Sequence, residues 1–185
     1  MPISIMMAAT MKESPMLSHF RMFAAYNNWA NSLVYSSASH LAYDDYTRDL
    51  GAFFHSVHGT LNHLLFTDRI WMKRFAGEYT GSVKLDSIVS DDFEDLRLAR
   101  EVEDQAIIAY IDSLSEAQLA GRFSYMRGNP PEQYNDSISK ALAHLFNHQT
   151  HHRGQIHMML TTLGRPSLEM DLIYFLRSDA GRPFA

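Results

Sequence analysis

The segment HLFNHQTHHRGQIH, residues 144–157, holds five of the ten histidines in the chain. Imidazoles at that density are solvated filler, hydrogen-bonded core groups or ligands for a metal ion. Residues four apart on a helix share a face, so a helical 144–157 would bring the rings of His148 and His152 to one point. Leu145, Ile156 and Met159 recur beside them at helical spacing and turn the pair toward an interior. Two imidazoles hold a metal weakly, so a third ligand has to come from a facing helix. His55, His58 and His63 lie on another helical stretch, and His63 is the best placed of them. Helical side chains lean back over the preceding turn, where the small residues Gly59 and Ser56 would leave room beside a substrate-accessible ion. Spacing alone does not choose the pair, since His144 is four residues from His148 and His151 is three.

The chain has no cysteine. Thiolate nucleophiles, disulfides and Cys-rich zinc sites are therefore excluded. A nitrogen and oxygen donor set favours zinc, nickel, iron or manganese over copper(I). Gln149 stands where the H-E-x-x-H metalloproteases carry their glutamate base, which argues against that mechanism. Asp68 lies seven residues from Leu61 and shares its stripe. It is a candidate to orient a ligand or to pair with Arg153, and equally a surface ion-pair residue if the stripe is rotated. Arg153 is a candidate for an anionic substrate, although an interhelical pairing is preferred. Packing and interhelical hydrogen bonding are preferred for Tyr26, Asn27 and Trp29, and core positions for Met158 and Met159. His55, His58, His144 and His157 are expected to have no metal role.

These groups need a scaffold. A chain of 185 residues is the usual size of one domain, and 46% hydrophobic with 20% charged residues is globular. The net charge of −5 and the lack of any basic run speak against nucleic acid. No apolar run is long enough to cross a membrane. Residues 1–13 are expected to form a loose leader and not a signal peptide, because Lys12 follows the apolar part. A cytoplasmic location is compatible with the absence of cysteine.

Ser14-Pro15 predicts an N-cap and first helical position, with a helix to about Ser37. YDDYTRD reads as a turn. A second helix is expected to start within 47–51 and end by Gly77, with Phe54, Val57, Leu61, Leu64 and Leu65 as its apolar stripe. The long connection 77–90 is expected to wrap an end of the fold. A third helix is predicted over Asp91–Leu114, its buried face including Leu96, Ala99, Val102, Ala106, Ile107, Tyr110 and Ile111. Residues 121–136 break the pattern at Gly128-Asn129-Pro130-Pro131 and read as a small irregular hairpin or extended loop. A fourth helix is expected from Asp136 or Ser137 to Leu163, stopped by Gly164 and Pro166. A short helix over 169–177 closes the chain. The sum is an all-α single domain: a four-helix bundle with a short hairpin or loop between the third and fourth helices and a short C-terminal helix.

The segments AAYNNWAN (24–31), HGTLNHLLFTDRIW (58–71), NHQTHHRGQIH (147–157) and DLIYFLR (171–177) resemble the DinB/YfiT-like metalloenzymes. N-H-L-L together with N-H-x-x-x-H-R-G-Q is the specific part, and the resemblance covers nearly the whole chain. It implies a four-helix bundle with a three-histidine site, and carried over residue by residue the ligands are His63, His148 and His152. It also implies a divalent ion, nickel or zinc foremost, with iron or manganese as further options, and a homodimer, to which exposed aromatics on the first and last helices would contribute. Relatives of known chemistry use low-molecular-weight thiols. The expected function is a metal-dependent hydrolase or small-thiol transferase acting on an unnamed small molecule. The alternative is a non-catalytic metal-binding module of stress response, favoured if a fourth protein ligand or the hairpin around 127–133 closes the site.

Overall fold

The computed structural model describes residues 15–185, so the leader and the Ser14 cap lie outside the described residues. Four long helices form the bundle: α1 (Pro15–Ala38), α3 (Val57–Phe75), α4 (Phe93–Ser113) and α6 (Ile138–Thr162). The short α2 (Tyr43–Thr47) and α5 (Glu116–Leu119) follow α1 and α4. Strands β1 (Arg122–Arg127) and β2 (Glu132–Ser137) precede α6, and α7 (Leu172–Arg177) with a 3-10 turn at Arg182–Phe184 ends the chain. Helix α1 packs on α4 and α6, and α3 packs on the same two. Thus α1 and α3 face each other across a diagonal, reached by the crossing segment 39–56.

Local chemistry accounts for the boundaries, and in places moves them from where the sequence pattern puts them. Helix α3 starts at Val57 and not within 47–51. Ser56 is its N-cap, in extended backbone, and its side chain accepts a hydrogen bond from the Gly59 backbone N–H. His55 just before it has φ 66°, a conformation no helix contains. Phe54 and His55 therefore belong to the approach to α3, and the first five residues of the turn expected at 43–49 are instead the helical α2. Helix α4 is capped by Asp92, whose carboxylate accepts from the Asp95 N–H at 2.9 Å. Ser137 holds the N-cap position of α6 without a side-chain cap bond, and Gly164 (φ 79°) takes the left-handed position just past its end, as the sequence pattern predicts.

The hairpin is regular and not irregular: β1 and β2 are antiparallel with Arg122 opposite Ser137 and Arg127 opposite Glu132. The connection after α3 bonds to it. Thr80 N–H donates to the Met126 carbonyl, Gly128 N–H to the Gly81 carbonyl, and the Tyr79 hydroxyl to the Gly128 carbonyl.

The core has two large apolar halves and a smaller cluster of Tyr26, Ala30 and Phe175 where α7 meets α1. One half gathers Val34, Leu61, Leu65, Leu96, Ile156 and Leu160, and the other Leu17, Phe20, Ile107, Ile111, Leu142 and Phe146. On every long helix the residues between those halves are polar and buried: Asn27 and Asn31 on α1, Asp68 on α3, Arg100 and Asp104 on α4, Gln149 and Arg153 on α6. Arg100 bridges Asp68 at 2.7 Å and Asp104 at 3.0 Å. Asn27 and Asn31 donate to Asp104, Gln149 donates to Asp68, and Arg153 donates to the side-chain carbonyls of Asn27 and Asn31. Burial works against the Arg100 charge, but the Asp104 and Asp68 carboxylates outweigh it and its pKa rises. Two guanidiniums and two carboxylates thus balance within one layer.

That layer corrects the expected face of α4. Val102 is 68% exposed and Ala106 is exposed, because Arg100, Glu103 and Asp104 take the inward stripe. Met158 is 50% exposed while Met159 is buried, so only the second is core. Helix α1 turns its aromatics inward: Phe20 and Tyr26 are buried and Phe23 and Trp29 half-buried, leaving Tyr174 of α7 as the exposed aromatic of the two helices. The other expected roles on α1 match the contacts, with Tyr26 donating its hydroxyl proton to the Met170 carbonyl at 2.8 Å. No helix among the described residues is long and apolar enough to cross a membrane.

Candidate metal centre

Helices α3 and α6 bring His63, His148 and His152 together, with one ring nitrogen of each lying within 4.8 Å of the others. His148 and His152 come from successive turns of α6, and His63 faces them from α3. The Nε2 atoms of His63 and His148 are 3.2 Å apart. Two nitrogens bound to one tetrahedral ion at about 2.0–2.1 Å would lie roughly 3.4 Å apart, so this spacing suits a shared ion.

Neighbours set two of the three tautomers. His63 Nδ1 is 2.8 Å from the Leu85 carbonyl oxygen. A carbonyl only accepts, so Nδ1 carries the proton and Nε2 presents a lone pair. His152 Nδ1 donates in the same way to Gln155 Oε1 at 2.6 Å, which frees its own Nε2. Burial pushes the His148 pKa down to about 3, helped by repulsion from His152 and His63. Burial also takes His152 down to about 4, against the Gln155 hydrogen bond. His63 is lowered by burial, with the Leu85 contact opposing. Three imidazoles held neutral, with ring nitrogens within 4.8 Å of one another, are a donor set that fits a divalent cation.

Those depressed pKa values make a prediction for the metal-free protein. In the unfolded chain the rings of His148 and His152 bind protons near 6.5, and in the folded protein only near 3 and 4. Between those values the unfolded state binds more protons, so stability falls as pH drops. Melting of chelator-treated protein is expected at steadily lower temperature from pH 7 to pH 4.5. His148→Gln should flatten that slope; an identical slope in the variant would contradict the assignment.

Phe54 lies on the His63 ring at 3.7 Å between centroids, nearly parallel, and meets His152 edge-on at 5.5 Å. Gly59 makes this approach possible. A Cβ there would come within 2.2 Å of the Phe54 carbonyl oxygen. The small residues before His63 thus accommodate the incoming chain and the Ser56 cap, not an open space for substrate. Gly59→Ala is expected to cost about 1–3 kcal/mol by forced displacement and to weaken metal retention, read by melting and metal titration. Asn62 ties the following connection in place, accepting from the Val89 and Ser90 N–H groups at 2.7 and 3.0 Å. That connection carries the Leu85 carbonyl.

The three histidines open onto a cavity of about 760 Å³ walled by Phe53, Trp71, Val83, Leu85 and the start of the hairpin turn. His148 is half-buried and His144 at the rim is exposed, so the cavity meets solvent. No fourth histidine or carboxylate joins the cluster among the described residues.

Asp68 and Arg153 do not reach this cavity. Both are buried in the charged layer, where Asp68 pairs with Arg100 and Arg153 serves Asn27 and Asn31. The remaining histidines also lie outside the cluster. His55 contacts Asp49, His58 contacts the Ser90 carbonyl, His144 packs on Trp71, and His157 accepts from the Leu168 N–H. His151 lies 3.4 Å from Gln155 Nε2 on the exposed side.

Phe54, Asn62, Leu85 and Gln155 escape the sequence reading. The Asn62 and Gln155 side chains had a signal, since they stand inside the N-H-L-L and N-H-x-x-x-H-R-G-Q motifs. A backbone carbonyl such as that of Leu85 has none.

The fold and site define a class: a helical bundle presenting three neutral imidazoles at the bottom of a solvent-connected cavity. The chain belongs to the DinB family, whose profile matches residues 13–182. It is 24% identical over 157 residues to "Protein DinB" of Bacillus subtilis (strain 168), covering 82% of this chain and 90% of that protein. No solved structure matches it.

Proposed function

We propose that His63, His148 and His152 hold a divalent metal ion, nickel or zinc, and that the protein is a metal-dependent enzyme acting on a small molecule. The observation that carries this is the 3.2 Å approach of two Nε2 atoms, one of them forced by the Leu85 carbonyl to be a bare lone pair. Without a cation or a proton between them, that contact is repulsive. An ion held there would supply Lewis acidity and would make a water or thiol beside it more acidic. The chain's own residues do the rest: Leu85 and Gln155 hold the tautomers, Phe54 covers one face of His63, and the cavity admits the reactant. Three protein ligands with a side open to a cavity are the pattern of a catalytic site, since structural zinc is normally enclosed by four. Hydrolysis and transfer of a low-molecular-weight thiol both fit that arrangement. We assign Asp68 and Arg153 to holding the helices and not to the reaction. The reading includes the homodimer implied by the family resemblance and a cytoplasmic location, with which a chain lacking cysteine is compatible.

The test is metal analysis with X-ray absorption spectroscopy on protein purified without a histidine tag. One equivalent of nickel or zinc with three imidazole nitrogens and an exchangeable water is expected. A metal-free protein that takes up neither ion, or a site closed by a fourth protein ligand, would remove the enzyme reading. Sedimentation analysis reads the dimer, and ester, amide and thiol-acceptor screens separate the two reactions.

A further inference from the structure

The cavity has a second, cationic end. Arg74, in the last turn of α3, is eleven residues beyond His63, roughly 16 Å along the axis, and its side chain leans back toward that histidine. It is 6% exposed and lines the cavity. Its guanidinium lies 4.7 Å from the Trp71 ring centre and 5.2 Å from that of Tyr125. Its Nε is buried with no hydrogen-bond partner, and among the described residues no carboxylate pairs with it. The acid nearest in influence, Asp136, already accepts the Tyr125 hydroxyl at 2.9 Å. Arg127, at the end of β1, lines the same cavity. It stacks on Tyr134 at 4.6 Å and makes no ion pair within 4.0 Å among the described residues; Glu132, opposite it in the hairpin, accepts the Tyr134 hydroxyl instead.

A buried guanidinium carries five N–H donors and is costly to leave unpaired. Aromatic faces offset part of the charge but accept none of those protons strongly. The other buried arginines of the bundle interior, Arg100 and Arg153, meet oxygen acceptors through their terminal nitrogens, even though Arg100 also leaves its Nε without a partner. Arg74 instead shares an open cavity with a second arginine, and like charges in one space are relieved by an anion between them.

We infer that Arg74 and Arg127 form an oxyanion subsite, and that the small molecule taken by this cavity is acidic, with a carboxylate or phosphate head at the arginines and its reacting end at the histidines. The planar fork of a guanidinium matches both oxyanions. A cavity of about 760 Å³ suits a metabolite-sized ligand. The far end of this assignment rests on the metal reading above; the cationic end does not.

The chain has two tryptophans, and only Trp71 lines the cavity. Trp29→Phe therefore leaves a single reporter. Its fluorescence is followed during titration with linear dicarboxylates from malonate to adipate and, separately, with inorganic phosphate. Saturable quenching is expected, with a preferred chain length if carboxylate is the head group or with phosphate if it is not. Arg74→Gln and Arg127→Gln should each weaken it at least tenfold, and Arg74→Lys should retain part. Arg127 is exposed on the hairpin, so its variant keeps the test valid if Arg74→Gln fails to fold. No response to any of these anions, or equal affinity in the arginine variants, overturns the subsite. Metal content of the same samples separates the two readings: arginine-dependent binding in protein that takes up no metal keeps this end and removes the other.

Discussion

Arg100→Met should destabilise the protein by about 3–5 kcal/mol, the usual cost of removing one partner from a buried ion pair. The change leaves the Asp68 and Asp104 carboxylates facing each other in the bundle interior without their shared counter-ion. Methionine fills most of the volume, so the loss reports charge and not a cavity. For a domain of this size each kcal/mol moves the melting temperature by roughly 2–4 °C. A drop of at least about 6 °C is therefore expected. Adding Asp104→Asn to the same chain should restore part of it, because one of the two orphaned charges is gone and the amide still accepts from Asn31. A single variant melting within a degree of the parent would show that the layer carries no net charge pairing.

His148→Ala should abolish stoichiometric metal, with affinity reduced by more than about 100-fold, since even an outer hydrogen-bonding partner of a ligand is worth 10–100-fold. His152→Ala should behave alike, and His151→Ala, on the exposed side of the same helix, should not. This contrast matters because His151 lies as close in sequence to His148 as a ligand would. In the metal-free state His148→Ala removes the close Nε2 contact with His63. That variant is expected to be no less stable without metal than the parent. Unchanged metal content in both ligand variants would end the assignment.

The four long helices were legible because their apolar residues recur over five turns or more with breakers between. The pair on α6 followed from spacing, but its choice over His144 and His151 needed the family resemblance, as a helix offers several i, i+4 partners. The start of α3 was misplaced because Phe54 continues the apolar rhythm backwards past Ser56. The pattern has no term for a chain that leaves the helix yet still packs its ring on the site. The face of α4 was rotated for the opposite reason. Arg100, Glu103 and Asp104 share a stripe with Leu96, Ile107 and Ile111, and counting apolar residues sends charged ones to water. Only the carboxylate, guanidinium and amide groups of other helices reveal that these are inward groups, and those partners are 32 to 77 positions away in the chain.

The charged layer also acts as a registration mark. Sliding α3 by one turn, about 5.4 Å, against α4 would carry Asp68 away from Arg100 and press both into hydrocarbon. Apolar contacts would tolerate the slip, since one leucine replaces another. Imidazoles on α3 and α6 must meet to within a fraction of that distance, and oily surfaces alone do not index two rods so finely. The alignment of the histidines is thus set one layer away, by charges that never touch them.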